Sequence, residues 1–216
     1  MPRLFLVRHV RSTANSEGIL AGRIAGVLPD EKGTAQLSEL SRRFEGLIFS
    51  TIFHSPLERT TLTAQAIANN ANSSLTIDQR LNECDYGNWS GRKLSELALE
   101  ESWKTIQKEP LNVRFPDGES FQELFNRTFD FFEDIRKMET PTVVAVTHGD
   151  VIKSIVAHAL RMHLNDFQRI DVGPASVTVI DCSPESSVLR CLNSFSSLQD
   201  FAHAPHGSTV GGSAHA

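Results

Sequence analysis

Short uninterrupted apolar runs alternate along this chain with stretches of helical periodicity, and three of those runs end in a histidine. Leu4-Phe5-Leu6-Val7 stops at Arg8-His9, the run from Leu47 to Phe53 stops at His54-Ser55, and Thr142 to Val146 stops at Thr147-His148-Gly149. A run without polar alternation reads as a strand covered on both faces, and such strands alternating with helices form a mostly parallel sheet. The expected fold is an α/β three-layer sandwich, a mostly parallel central sheet flanked by helices. In such sheets ligands bind beyond the carboxyl ends of the strands, where these three polar clusters fall.

The rest of the pattern fills in around them. A connection rich in glycine (Gly18, Gly22, Gly26, Gly33) precedes a helix near 34–44. Ser55-Pro56-Leu57-Glu58 predicts a helix start with Ser55 as cap, Pro56 in the first turn and Glu58 closing a capping box; the helix runs to about Ala68. Leu75-Thr76-Ile77 is a short strand, followed by a polar loop from Asn82 to Gly91 and helices near 92–108 and 119–137. Phe121, Phe125, Phe129 and Phe132 fall at helical spacing and predict a core-facing stripe. A helix from Asp150 to Met162 and strands over Val177–Ile180 and Val188–Leu192 close a single domain, 1–201. From 202 to 216 the residues have almost nothing to bury, and a disordered tail is expected.

Charge and cysteine usage narrow the function. With 21 basic and 26 acidic residues the net charge is −5, which argues against partners such as nucleic acid or an anionic membrane. Cys84, Cys182 and Cys191 are odd in number and lack a CxxC spacing, so neither a disulfide framework nor a cysteine zinc site is expected. The opening apolar run is too short for a signal peptide and no stretch reaches membrane-spanning length, so a cytoplasmic location is expected. A homodimer is compatible with the sequence.

The clusters suit phosphoryl chemistry. Arg8, Arg59, His9 and His148 around a helix N-terminus would receive a dianionic phosphoryl group, because guanidinium forks match phosphate oxygens and the first helical amides add donors. A neutral imidazole is a competent phosphoryl acceptor near pH 7. The leaving alkoxide needs a proton, and Glu83 in the polar loop is the best-placed acid if its pKa is raised. Taken singly, each of these residues has a plain structural alternative: a strand-end ion pair, a loop histidine, an exposed helix arginine, a solvated loop carboxylate. His54 reads as a structural strand-end residue.

Five segments in order then resemble the histidine phosphatase superfamily, also called the phosphoglycerate mutase-like family. They are Leu6-Val7-Arg8-His9 with Asn15, Ser55-Pro56-Leu57-Glu58-Arg59 with Thr63-Ala64, and Leu81-Asn82-Glu83 with Tyr86-Gly87-Asn88-Trp89-Ser90-Gly91. Phe115-Pro116-Asp117-Gly118-Glu119-Ser120, which resembles the phosphatase branch, and Thr147-His148-Gly149-Asp150 complete the set. The resemblance implies a phosphoglycerate mutase-like fold and a metal-free reaction with no cofactor on a small phosphorylated substrate. It implies His9 as nucleophile, Glu83 as proton donor and then base, and Arg8, Arg59 and His148 as phosphoryl ligands. Asn15 and Gly149 would assist them, and Arg23, beside Gly22, would touch substrate.

Two positions depart from the family's pattern. Where it usually carries Gly and then Glu or Gln after the nucleophile, this chain has Val10 and Arg11. A β-branched residue cannot take φ > 0 cheaply. Arg11 either adds charge to the pocket or points to solvent. About 27 residues separate Gly91 from Gly118, short for the cofactor-dependent mutases, and the wider segment 82–118 carries the aromatic and basic groups Tyr86, Trp89, Arg92, Lys93, Trp103 and Lys104. The expectation is therefore a phosphomonoesterase of histidine acid phosphatase type. The alternatives are a 2,3-bisphosphoglycerate-dependent phosphoglycerate mutase and an inactive phospho-ligand-binding module.

Overall fold

Strand β1 (Arg3–Arg8) runs into a one-turn helix α1 (Thr13–Glu17), and α2 (Glu31–Arg43), β2 (Thr51–His54), α3 (Glu58–Ala68) and β3 (Ser74–Ile77) follow. Two short helices, α4 (Leu94–Leu97) and α5 (Glu101–Lys108), precede α6 (Phe121–Arg136), β4 (Thr142–Thr147), α7 (Gly149–Ala159), β5 (Val177–Cys182) and β6 (Ser187–Ser194). This computed structural model describes residues 2–49, 51–69 and 73–202. Apart from Ala202, the expected tail with His203, His206 and His215 lies outside the described residues.

The sheet order is β3-β2-β4-β1-β5-β6. The first four strands are mutually parallel, whereas β5 is antiparallel to β1 and β6 antiparallel to β5. Period-two geometry divides each apolar run between two cores. Leu4, Leu6, Val143 and Ala145 pack toward α6 and α7, while Phe5, Val7, Val144 and Val146 meet Leu40, Phe44, Ala64 and Ile67 of the α2/α3 side. Among the described residues no helix is long and apolar enough to cross a membrane.

Register builds the site. Arg8 pairs with Thr147 across β1 and β4, so the next residues of both strands, His9 and His148, emerge side by side. His54 pairs with Val146 on the other flank of β4, which sets Ser55 beside the same point.

Several expected boundaries shift. β2 begins at Thr51 rather than Leu47, where its pairing with Ser74 of β3 begins. α2 begins at Glu31 and takes in Gly33, where a Cβ would lie 1.9 Å from the Arg11 carbonyl oxygen. The expected 92–108 helix is broken in two, with Leu97 buried in the core and Trp103 turned toward a cavity. α7 stops at Ala159, since Arg161 adopts a left-handed φ of 53°.

Ser55 does not cap α3; the N-cap is Leu57, with no side-chain cap bond, and Pro56 lies outside the helix. On α6, Phe129 is 45% exposed, and the buried face instead carries Phe121, Leu124, Phe125, Phe131 and Phe132. At about 100° per residue Phe129 stands about 80° from Phe121, on the flank away from Leu124 and Phe131.

Candidate active site

A cavity of about 320 Å³ opens beyond the carboxyl ends of β1 and β4, and Arg8, His9, Asn15, Arg59, Glu83 and Gly149 all lie in its wall. His148 lies just behind, fully buried, with its ring centroid 5.2 Å from that of His9.

Hydrogen bonds fix both imidazoles. His9 Nδ1 lies 2.7 Å from the Val10 carbonyl oxygen, which can only accept, so Nδ1 carries the proton and Nε2 keeps a free lone pair. Burial, with Arg59 and Arg8 nearby, holds His9 well below the ordinary imidazole value, so it is neutral at pH 7. His148 Nδ1 accepts from Arg59 Nη2 at 3.3 Å, which leaves Nε2–H to donate to Ser55 Oγ at 2.8 Å. The Ser55 hydroxyl, expected as a helix cap, is thus taken by His148. Burial, then the charge of Arg59, also holds His148 neutral.

The guanidinium groups are underused. Arg8 Nη1 donates to the Val172 carbonyl and Arg59 Nη2 to the Gly22 carbonyl at 2.8 Å. Yet Arg8 Nε, Arg59 Nε and Arg59 Nη1 are buried without any partner. Buried unpaired donors on a cation are costly, and an anion with several acceptor oxygens would satisfy all three. Gly22, at φ 52°, aims its carbonyl at Arg59 from a conformation that favours glycine. Asn15 Oδ1 accepts from Ser12 N and Oγ in a capping box, so its Nδ2 is the end left for a ligand. The eleven-residue α7 starts at Gly149 with no side-chain cap bond from His148, leaving its first amides as further donors.

Glu83 Oε1 accepts from the Cys84 amide at 3.0 Å, and Oε2 lies 3.8 Å from His148 Nδ1. Burial first, then the Asp150 charge, push its carboxyl up to about 7, against the pull of Arg59, the Cys84 N–H and Arg8. It can therefore hold or release a proton near neutrality.

Arg23 is placed differently from expectation. Its Nε donates to the Glu83 carbonyl at 2.8 Å, Nη2 to Glu119 at 3.2 Å, and Nη1 lies 3.5 Å from Asp85. With its donors committed it is absent from the cavity wall and braces the Glu83 loop from behind. Arg11 also stays out of that wall, paired with Asp30 at 3.3 Å. His54 is buried, with Nδ1 on the Ser55 carbonyl at 2.8 Å.

Val10 is fully buried among Phe5, Val7 and Val146, is not among the residues with positive φ, and its N–H donates to Thr63 Oγ1. The backbone here needs no glycine. Val10→Gly is expected to lower stability by about 2–3 kcal/mol through lost burial and added chain entropy, with no gain in turnover. Urea unfolding beside an activity assay checks both halves.

The sequence assigns no role to four supporting groups, Arg127, Tyr86, Asp150 and Lys153. Arg127 grips both Glu119 oxygens (2.7 and 3.0 Å) and donates to the Arg80 and Glu83 carbonyls, locking the acidic loop to α6. Nothing in the sequence distinguishes it from an ordinary helix arginine. Tyr86 Oη donates to Asp150 Oδ2 at 2.8 Å, and Lys153 Nζ to Asp150 Oδ1 at 3.2 Å. The position of Asp150, two after His148, was the available signal. Among the described residues no group of three or more His, Cys, Asp or Glu side chains is gathered as for a metal ion.

Known proteins resemble this chain in sequence and in fold. A sequence profile of the histidine phosphatase superfamily (branch 1) matches residues 4–194. Phosphoserine phosphatase 1 of Hydrogenobacter thermophilus is 33% identical over 212 residues, 95% of this chain and 99% of its own. The 2,3-bisphosphoglycerate-dependent phosphoglycerate mutase of Thermoplasma acidophilum is 29% identical over 192 residues, 82% of this chain and 85% of its own. The solved phosphoserine phosphatase of Entamoeba histolytica, in complex with 3-phosphoglyceric acid, superposes with a TM-score of 0.80 at 25% identity. That match covers 90% of this chain and 98% of the other.

Proposed function

The chain belongs to the histidine phosphatase superfamily (branch 1), and from that premise we propose that it hydrolyses a small phosphorylated metabolite, without a metal, through a phosphohistidine on His9. One observation carries the reading. The partnerless donors of Arg8 and Arg59 flank a cavity into which a neutral histidine with a bare Nε2 is set.

The steps follow from those atoms. His9 Nε2 gives its lone pair to phosphorus as the P–O bond to the alcohol breaks, and Glu83 protonates the departing oxygen. Arg8, Arg59 and Asn15 Nδ2 hold the equatorial oxygens, where charge is spread in the transition state. Water then attacks phosphorus, Glu83 takes its proton, and the P–N bond breaks to restore His9. His148 would join the phosphoryl ligands by taking a proton on Nδ1. A bound dianion favours this by offsetting the Arg59 and Arg8 charges that add to burial in holding His148 neutral.

A cytoplasmic location is part of the proposal, supported by three free thiols. So is a partner set limited to the small phosphorylated substrate, given the net charge of −5.

The test is phosphate release from a panel of phosphomonoesters in EDTA, beside interconversion of the phosphoglycerates with 2,3-bisphosphoglycerate added. Chelator-resistant release is the expected result. Isomerisation without release would instead favour the mutase activity named for the Thermoplasma relative. Phosphate binding with neither reaction would leave a phospho-ligand-binding module.

A further inference from the structure

Away from His9 the cavity wall changes character. Leu20, Trp89, Trp103, Ile106, Phe115 and Phe121 form a continuous apolar side. The Trp89 and Trp103 rings are nearly parallel (17°, centroids 6.4 Å apart), and Phe115 meets Trp89 edge-on at 5.5 Å. A phosphoryl group occupies only the arginine end, and these rings line the part of the wall left for the rest of the substrate.

Charge in this outer part is already balanced or acidic. Among the described lining residues the cations are Arg8, Arg59 and Lys153. Arg8 and Arg59 serve the phosphoryl end, while Lys153 Nζ donates to Asp150 at 3.2 Å and to Gln168 at 3.0 Å. Asp171 adds a further carboxylate to the wall. A second anionic group on the substrate would meet two carboxylates and no uncommitted cation, at a desolvation cost that nothing offsets. An apolar ring would exchange water for aromatic surface.

We propose that the alcohol half of the substrate carries an apolar ring and no second anionic group, seated against Trp89, Trp103 and Phe115. This rests on the phosphomonoesterase reading above and names the substrate class for the same cavity. It separates this chain from phosphoserine and 3-phosphoglycerate, whose alcohol halves are small and carry a carboxylate.

The experiment compares kcat/KM for 2-phenylethyl phosphate, ethyl phosphate, O-phosphoserine, 3-phosphoglycerate and choline phosphate. All five are alkyl esters, so leaving-group reactivity does not set the ranking. 2-Phenylethyl phosphate should exceed each of the others by at least about tenfold. Trp103→Ala should shrink the phenylethyl-to-ethyl ratio by about fivefold or more, and Trp103→Phe should restore most of it. A lead for phosphoserine, 3-phosphoglycerate or choline phosphate would overturn the proposal, as would an unchanged ratio in Trp103→Ala. Those outcomes leave the phosphatase standing. Failure to hydrolyse any ester, by contrast, would overturn both.

Discussion

His9→Ala should abolish phosphate release, lowering kcat by on the order of 10⁴-fold or more. That corresponds to about 5–6 kcal/mol of barrier, because the attacking atom itself is removed. The variant should still fold and still bind phosphate, since Arg8, Arg59 and His148 keep their own anchors on Val172, Gly22 and Ser55. Its structural cost is confined to the Val10 carbonyl, which loses the His9 Nδ1–H at 2.7 Å, about 1 kcal/mol. Stopping the wild-type reaction in mid-turnover should trap phosphate on the chain in an acid-labile bond. The same treatment of His9→Ala should trap none. Turnover in the variant within tenfold of wild type would exclude a phosphohistidine at this position, because the proposed attacking atom is gone.

Much of this site is legible in the sequence, and for a physical reason. A parallel sheet delivers the residues just past its strands to one edge, so the two apolar runs ending in Arg8-His9 and Thr147-His148 already imply converging imidazoles. The Arg8–Thr147 register supplies the one fact needed to make them neighbours. The alternation of apolar runs with helices is enough for the layered fold, although β5 and β6 turn antiparallel at one edge. Position in the sequence carries no information of this kind for side chains reaching across elements. Ser55 has the sequence context of a cap, yet the neutral Nε2–H of His148, ninety-three residues away, takes its hydroxyl. Arg23 has the context of a substrate ligand, but its guanidinium is turned to Glu119 and the Glu83 carbonyl. Val10 is a backbone problem only on the assumption that this position requires positive φ, and it does not.

Glu83→Gln is the second large effect, and it separates chemistry from stability. With its carboxyl pushed up to about 7, Glu83 is protonated below neutrality and ionised above it. Wild-type kcat/KM for an alkyl ester should therefore fall as pH rises through about 7, because the departing alkoxide loses its proton source. An ester of 4-nitrophenol, whose phenoxide leaves unprotonated, should lack that limb. Gln can neither give nor take the proton, so alkyl ester turnover should drop about 10²- to 10⁴-fold. On nitrophenyl phosphate the variant should release one equivalent of nitrophenol rapidly and then stall, since no base remains to activate water. Equal losses on both esters with no burst would refute the acid–base assignment. Stability should move the other way. The folded carboxyl binds its proton more tightly than the unfolded one, at about 4.3, so wild-type stability declines with rising pH between about 4.3 and 7 and stays low beyond. The amide does not titrate. Glu83→Gln should accordingly raise Tm at pH 8, where the buried carboxylate burdens the wild type, and the difference should narrow at pH 5. A residue that costs the fold stability at the pH where it serves as acid and base is held there for its chemistry, which a purely structural loop glutamate would not be.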